Sequence, residues 1–243
     1  MGEAKRKQGT DSGSNMPAKG PIKGIIIGIV VVLVVVLAVY WLTRPVADPD
    51  ELPTAAEGAG PFPAHEDRVG VSVGPEDASV VVREFADYQC PGCASFASVA
   101  KRIKDEFVAS GDVRFVYFDF PLVDIHDNAM LAAQAARCAG DQGNYWAMHD
   151  RLFAQQGEWS TNHNAKGVFV RYSEELGMNP ARMQRCLDTE LHREDVEASL
   201  ALAKRMGVRS TPTVLVNNIP MGGAQTWPKM KAVIERELET TKP

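Results

Sequence analysis

Cys90-Pro91-Gly92-Cys93 places two thiols at a spacing with a physical reason, because cysteines one helical turn apart bring their sulfurs within bonding reach. A cysteine at a helix N-terminus faces unpaired backbone N–H groups and the positive end of the helix dipole, and both favour thiolate over thiol. Such motifs lower a thiol pKa from about 8.5 to about 3.5–7.5. Cys90 is then the exposed nucleophile that forms a mixed disulfide, and Cys93, deeper in the helix, resolves it. Pro91 suits the first helical turn, where its missing N–H costs nothing. Two other uses of the pair compete. A structural bridge would close so small a loop that it adds little stability. A zinc site needs two more ligands, and Cys138 and Cys186 stand singly, with neither CxxC nor HxxxH company. No metal ion or organic cofactor is expected.

Ser210-Thr211-Pro212-Thr213 precedes a β-branched run, and a proline there is a candidate for a cis peptide bond. A cis bond would turn the backbone of Thr211 outward beside the CxxC, where its N–H and C=O could pair with an extended protein segment. By itself, a trans proline opening a strand is the commoner case. His126, His149 and His163 occur singly at irregular spacing, read as surface residues, and are assigned no role. Trp146, Met148 and Phe153 fall at helical intervals and read as core.

These groups need a frame. Residues 79–85 form a β-branched run bounded by Gly74-Pro75 and Pro91-Gly92, which predicts a buried strand. Phe96, Val99, Ile103 and Phe107 then recur at helical spacing until Gly111. A second strand at 113–118 completes a βαβ unit with a parallel pair. Residues 129–139, 145–155, 167–176, 180–188 and 194–206 read as helices, so an all-helical insertion spans about 127–206. Strands at 213–217 and 219–221, turning at Asn217-Asn218, and a helix at 227–238 close the chain as ββα.

The 243 residues are 45% apolar and 23% charged, but unevenly so. Gly24–Leu42 is an uncharged, Ile/Val/Leu-rich run of nineteen residues, a helix of roughly 28 Å that matches a bilayer core. Pro45-Val46-Ala47 is a poor cleavage site, so an uncleaved anchor is expected. Tyr40 and Trp41 suit the headgroup layer at its far end. Residues 1–23 carry a net +3 and residues 46–243 a net −9, which puts the N-terminus in the cytoplasm and the rest outside. The acidic outer part argues against nucleic-acid binding. The expected organisation is a disordered tail at 1–21, an anchor helix at 22–43, a flexible Pro-rich acidic linker at 44–68 and one α/β domain at 69–243. The linker is too short and polar to form a dimerisation domain, so the chain is expected as a monomer. In an oxidising compartment Cys138 and Cys186 are more readily joined than free, closing a loop of about 49 residues for roughly 4 kcal/mol. A second redox pair that relays electrons is the rival reading.

The run from Val82 to Cys93, the stretch from Ala136 to Trp146 and the run from Gly207 to Thr213 together resemble the DsbA-like branch of the thioredoxin superfamily. The resemblance covers about Val73 to Glu239. It implies a thioredoxin fold with an inserted helical subdomain and extracytoplasmic thiol-disulfide oxidoreductase activity. It also implies Cys90 as attacking thiol, Cys93 as resolving thiol and Pro212 as a cis-proline facing them. Glu84 is similar in position to the buried acid that shuttles a proton in this superfamily; an exposed strand residue is the alternative. Pro91-Gly92 departs from the Pro-His of the strongly oxidising archetype, so thiolate stabilisation rests on the helix end alone. The expected function is a membrane-tethered dithiol oxidase of extracytoplasmic proteins, reset by a membrane redox partner. A reductase or isomerase on the same fold, or a non-redox client-binding scaffold, are the alternatives.

Overall fold

The computed structural model describes residues 22–43, 52–58 and 60–241, with side chains for all of these except 22–25. The chain divides into two units, Met1–Glu51 and Leu52–Pro243. The expected tail at 1–21 and the linker residues 44–51 lie outside the described residues.

In the first unit, helix α1 spans Ile22–Leu42, and Thr43 closes it by donating N–H and hydroxyl to the Val39 carbonyl at 2.8 and 2.7 Å. Its apolar side chains from Ile26 to Leu42 are exposed on every side. Within the described residues no helix is long and apolar enough to cross a membrane.

The second unit is built on a sheet of order β1-β3-β2-β4-β5, comprising β1 Val71–Val73, β2 Val80–Ala86, β3 Val113–Asp119, β4 Thr213–Val216 and β5 Ile219–Gly222. The central β2 and β3 are parallel and the other pairings antiparallel. β2 and β3 are buried along nearly their whole length because both of their faces are covered, and their apolar residues do not alternate with polar ones. Helix α2, Pro91–Ile103, returns the chain from β2 to β3 and continues as a π-helical turn at Lys104–Val108. Phe96, Ala100, Ile103 and Phe107 bury its inner face. Asn217, at φ 54°, makes the tight turn from β4 to β5. Helix α9, Trp227–Thr241, ends the unit.

Between β3 and β4 lies the helical insertion: α3 Ala129–Gly140, α4 Tyr145–Ala154, α5 Gln156–Trp159, α6 Ala165–Glu175, α7 Pro180–Asp188 and α8 Arg193–Arg205. Alanines 132, 133, 135, 136 and 139 of α3 are buried, and their small side chains admit close helix neighbours on more than one face. A disulfide joins Cys138 of α3 to Cys186 of α7, with Cα atoms 6.0 Å apart.

Three features differ from the sequence reading. β1 is an additional edge strand, too short at three residues to stand out by periodicity. The one-turn helix α5 interrupts what reads as loop. The folded unit also begins well before residue 69, so the stretch from 52 to 68 is not a free linker. Pro53 accepts a hydrogen bond from Arg236 at 2.7 Å, and Ala64–Val69 is a 3₁₀ helix. Phe62 is buried against Phe85 and Phe118. The physical reason is Arg83. Its side chain is buried in β2, and Asp67 pairs with it bidentately at 2.6 and 2.7 Å while Phe62 lies across the guanidinium at 4.3 Å. A buried guanidinium needs such a counter-charge.

Candidate active site

β2 ends in an acidic turn that delivers Cys90 to the start of α2. The Cys90 backbone is still extended (φ −73°, ψ 124°), so its carbonyl already accepts the first helical bonds, from Cys93 and Ala94 N–H at 3.1 Å. Pro91 occupies the first helical position, where no donor is needed. Both thiols are free; Cys90 is half-buried and Cys93 buried.

That difference in burial separates their acidities. The Cys93 thiol, by hydrogen-bonding to the Cys90 sulfur, is the main reason the Cys90 pKa falls from 9.0 to about 5. Partial burial opposes this, while Thr211 and the backbone N–H groups of Cys93 and Gly92 assist it. The helix end is therefore not the sole stabiliser that the sequence suggested. Burial pushes the Cys93 thiol far up, and its bond to Cys90 and the nearby charge of Glu84 reinforce the effect. At neutral pH Cys90 is a thiolate and Cys93 a thiol.

Glu84 lies in β2, opposite Tyr117 of β3 and Val214 of β4. It is 1% exposed, so the exposed alternative is excluded. Burial raises its pKa to about 8, with Lys104 pulling the other way. Neither carboxyl oxygen has a hydrogen-bond partner among the described residues. A carboxyl held this way keeps its proton near neutrality and can exchange it with the buried sulfur.

The Thr211–Pro212 peptide is cis, and its loop sits directly against the CxxC. A Cβ on Gly92 would lie 3.3 Å from Pro212 Cδ and 3.7 Å from both Cys90 Sγ and the Thr211 oxygen. The Thr211 carbonyl does not simply face outward, as a free strand edge would. It accepts the Cys90 S–H at 3.5 Å. The Thr211 hydroxyl is buried with no fixed partner, which leaves its O–H free to turn to the thiolate.

The sequence reading missed the side chains that fix this turn. Asp87 accepts the Gln89 N–H at 2.7 Å and the Leu122 N–H at 2.8 Å, and faces His126 Nδ1 at 2.7 Å. Gln89 donates to the Ser160 carbonyl at 2.7 Å and accepts the Asn128 N–H at 2.8 Å. From α5, Gln156 donates to the carbonyls of Tyr88 and Cys90 at 2.8 and 3.0 Å. The insertion thus grips the CxxC turn through side-chain amides. Asp87 and Gln89 lie within the motif run and were open to inspection. Gln156 is 66 residues from Cys90 and carries no spacing signal. Of the histidines read as surface residues, His163 is exposed, but His126 is partly buried against Asp87. His149 is fully buried among Tyr88, Tyr117, Trp146 and Phe153. Burial holds it neutral, and its Nδ1 shares a hydrogen bond with the Tyr88 hydroxyl at 3.0 Å. Among the described residues the CxxC belongs to no cluster of three metal-ligating side chains.

A thioredoxin family model matches residues 66–236. The chain is 30% identical over 172 residues to disulfide bond formation protein D of Bacillus subtilis, covering 69% of this chain and 76% of that one. It superposes on the crystal structure of oxidised BdbD from Bacillus subtilis with a TM-score of 0.65 at 26% identity, over 78% of this chain and all of the other. It is also 30% identical over 169 residues to the Na(+)/H(+) antiporter NhaA 1 of Salinispora arenicola. That match covers 70% of this chain but only 25% of the antiporter, so the chain spans about a quarter of that relative's length.

Proposed function

The chain belongs to the thioredoxin family, in its DsbA-like branch of thiol-disulfide oxidoreductases, and from that premise we propose that it is a membrane-tethered dithiol oxidase of extracytoplasmic proteins. The observation that carries the direction is the split between the two thiols: Cys90 down to about 5 and Cys93 pushed up by burial. Stabilising the Cys90 thiolate stabilises the reduced enzyme, and a disulfide whose reduced form is favoured is a strong oxidant.

The reaction starts from the Cys90–Cys93 disulfide. A client thiolate attacks Cys90 Sγ, the half-exposed sulfur, forming a mixed disulfide and breaking the bond to Cys93. Cys93 departs as a thiolate into a buried site and takes the proton held by Glu84, whose carboxyl is raised to about 8. A second client thiolate then attacks the client sulfur, and Cys90 leaves as the stable thiolate. Two client thiols become one disulfide, and the enzyme retains two electrons for a membrane redox partner to remove. Thr211, beside the cis Pro212, offers backbone groups on which an extended client segment can align next to Cys90.

Tethering is supported by the helix Ile22–Leu42, whose described side chains are apolar and exposed on all sides. The basic residues before it and the acidic domain after it support a cytoplasmic N-terminus and an outward-facing domain. We take the protein as a monomer on this anchor. The experiment is capture in cells. Cys93→Ser stalls the reaction at the mixed disulfide and is expected to retain client proteins through Cys90 in the membrane fraction. Absence of thiol-reversible adducts, with wild-type function kept by Cys90→Ser, would instead favour a scaffold.

A further inference from the structure

Away from the CxxC, Cys138 of α3, Cys186 of α7 and His192 before α8 converge at one corner of the insertion. One potential ligand atom from each lies within 4.8 Å of the others. We propose that reduction of the Cys138–Cys186 disulfide converts this corner into a zinc site, with the two thiolates, His192 Nε2 and an Asp141 carboxylate oxygen as its four ligands.

The geometry is near what zinc requires. With Zn–S of about 2.3 Å and Zn–N or Zn–O of about 2.0 Å, tetrahedral ligand atoms stand roughly 3.3–3.8 Å apart. Breaking the disulfide lets the two sulfurs part to that distance. One ligand atom each of Cys138, Cys186 and His192 already lies within 4.8 Å of the others, and Asp141 joins through its contact with His192. His192 is already oriented as a metal-bound histidine is. Its Nδ1 is tied to Asp195 at 2.7 Å, which aims Nε2 at the Asp141 carboxylate 2.8 Å away. A carboxylate on the far nitrogen is the arrangement that fixes tautomer and ring direction at metal centres. A cation entering between His192 Nε2 and Asp141 would take the place of the contact that now joins them.

Access and charge also fit. Cys138, Asp141 and Cys186 line a cavity of about 220 Å³, and Arg182 and Arg185 share its wall. Two thiolates and a carboxylate bring three negative charges to a divalent ion, and the two guanidiniums offset the excess. Thiolate and imidazole donors select zinc over calcium or magnesium.

The chemistry balances. A dithiol reductant passes two electrons and two protons to the disulfide, leaving its own disulfide and two protein thiols. Zinc then displaces both thiol protons. In the reverse sense, a disulfide-bearing oxidant takes two electrons from the bound thiolates and, with two protons from solvent, becomes a dithiol, while the ion leaves and the Cys138–Cys186 bond re-forms. The corner is thus closed by sulfur–sulfur or by sulfur–zinc bonds, and the reduced insertion keeps α3, α7 and the start of α8 together. This inference is independent of the direction in which the CxxC runs.

The test uses the full chain in detergent with Cys90→Ser and Cys93→Ser, so that the CxxC thiols take up no metal. The protein, reduced anaerobically with a phosphine, is titrated with Zn²⁺ against a chromogenic chelator. One zinc per chain is expected when reduced and none when oxidised. Cys138→Ser should abolish binding, and His192→Asn should weaken it by about tenfold or more. Zn²⁺ should also raise the melting temperature of the reduced protein and leave the oxidised protein unchanged. The proposal is overturned by a reduced protein that binds no zinc, by binding indifferent to Cys138→Ser and His192→Asn, or by a reduced insertion that unfolds and that Zn²⁺ does not restore.

Discussion

The Cys90 thiol donates to the Thr211 carbonyl oxygen across 3.5 Å, so the attacking sulfur and the backbone beside the cis-proline are one hydrogen-bonded unit. Ionising Cys90 removes the proton that joins them. The same proton is absent from the Cys90–Cys93 disulfide, the form that meets the client, so the Thr211 carbonyl then loses its Cys90 partner and can take an extended segment of client. Substrate alignment and the state of Cys90 are therefore coupled through a single atom pair.

The first prediction concerns that charge. Thiolate absorbance of the reduced protein should titrate with a midpoint near pH 5, the value set at Cys90. Cys93→Ala removes the largest stabiliser and should raise the midpoint clearly. Thr211→Val removes a smaller one and should raise it less. An unchanged midpoint in Cys93→Ala would show that the helix end alone holds the thiolate.

Glu84 makes stability depend on pH. The unfolded chain releases this proton near 4.5, but the folded protein holds it to about 8. Its contribution to stability is fully present below 4.5 and is lost as pH rises through the folded value. Glu84→Gln should therefore leave urea stability unchanged near pH 4 and increase it by roughly a few kcal/mol near pH 9. The same variant should slow reduction of the oxidised enzyme by roughly 10²-fold at neutral pH, by withholding the proton from Cys93. Equal stability changes at both pH values would contradict the buried protonated carboxyl.

Gln156 offers a test of how the insertion acts on the site. Gln156→Ala leaves the Tyr88 and Cys90 carbonyls without their shared donor, a loss of about 1–3 kcal/mol. A merely structural role would end there. A positioning role also requires the thiolate midpoint to rise, because the turn that aims the Cys93 and Gly92 N–H groups at the sulfur loosens. A stability loss with an unmoved midpoint would deny the positioning role.

The segment before the domain should behave as part of it. Asp67→Asn strands the buried Arg83 guanidinium and should cost about 3–5 kcal/mol in chemical denaturation. The double variant Arg83→Met, Asp67→Leu should recover much of that. A loss under about 1 kcal/mol for Asp67→Asn would make residues 52–68 an appendage after all.

What the sequence made legible was whatever repeats locally. The βαβ frame followed from the β-branched and apolar runs at 79–85 and 113–118, the insertion from helical spacing, and the CxxC from four adjacent residues. Glu84 could not be assigned to inside or outside from sequence, because in a strand covered on both faces alternation no longer marks a face. Phe62 and Asp67 lie in a stretch whose prolines and acids read as linker, and only the buried Arg83, paired across 16 residues, explains why they fold. Gln156 and His192 act through contacts made when helices dock, which leave no trace in spacing.

The central claim is that the fold holds Cys90 as a thiolate and so makes the Cys90–Cys93 disulfide an oxidant. Equilibrium redox titration of the full chain against glutathione tests it most directly. The account predicts a potential nearer about −120 mV than about −270 mV, the values of strongly oxidising DsbA and reducing thioredoxin. A value at or below about −270 mV would contradict it.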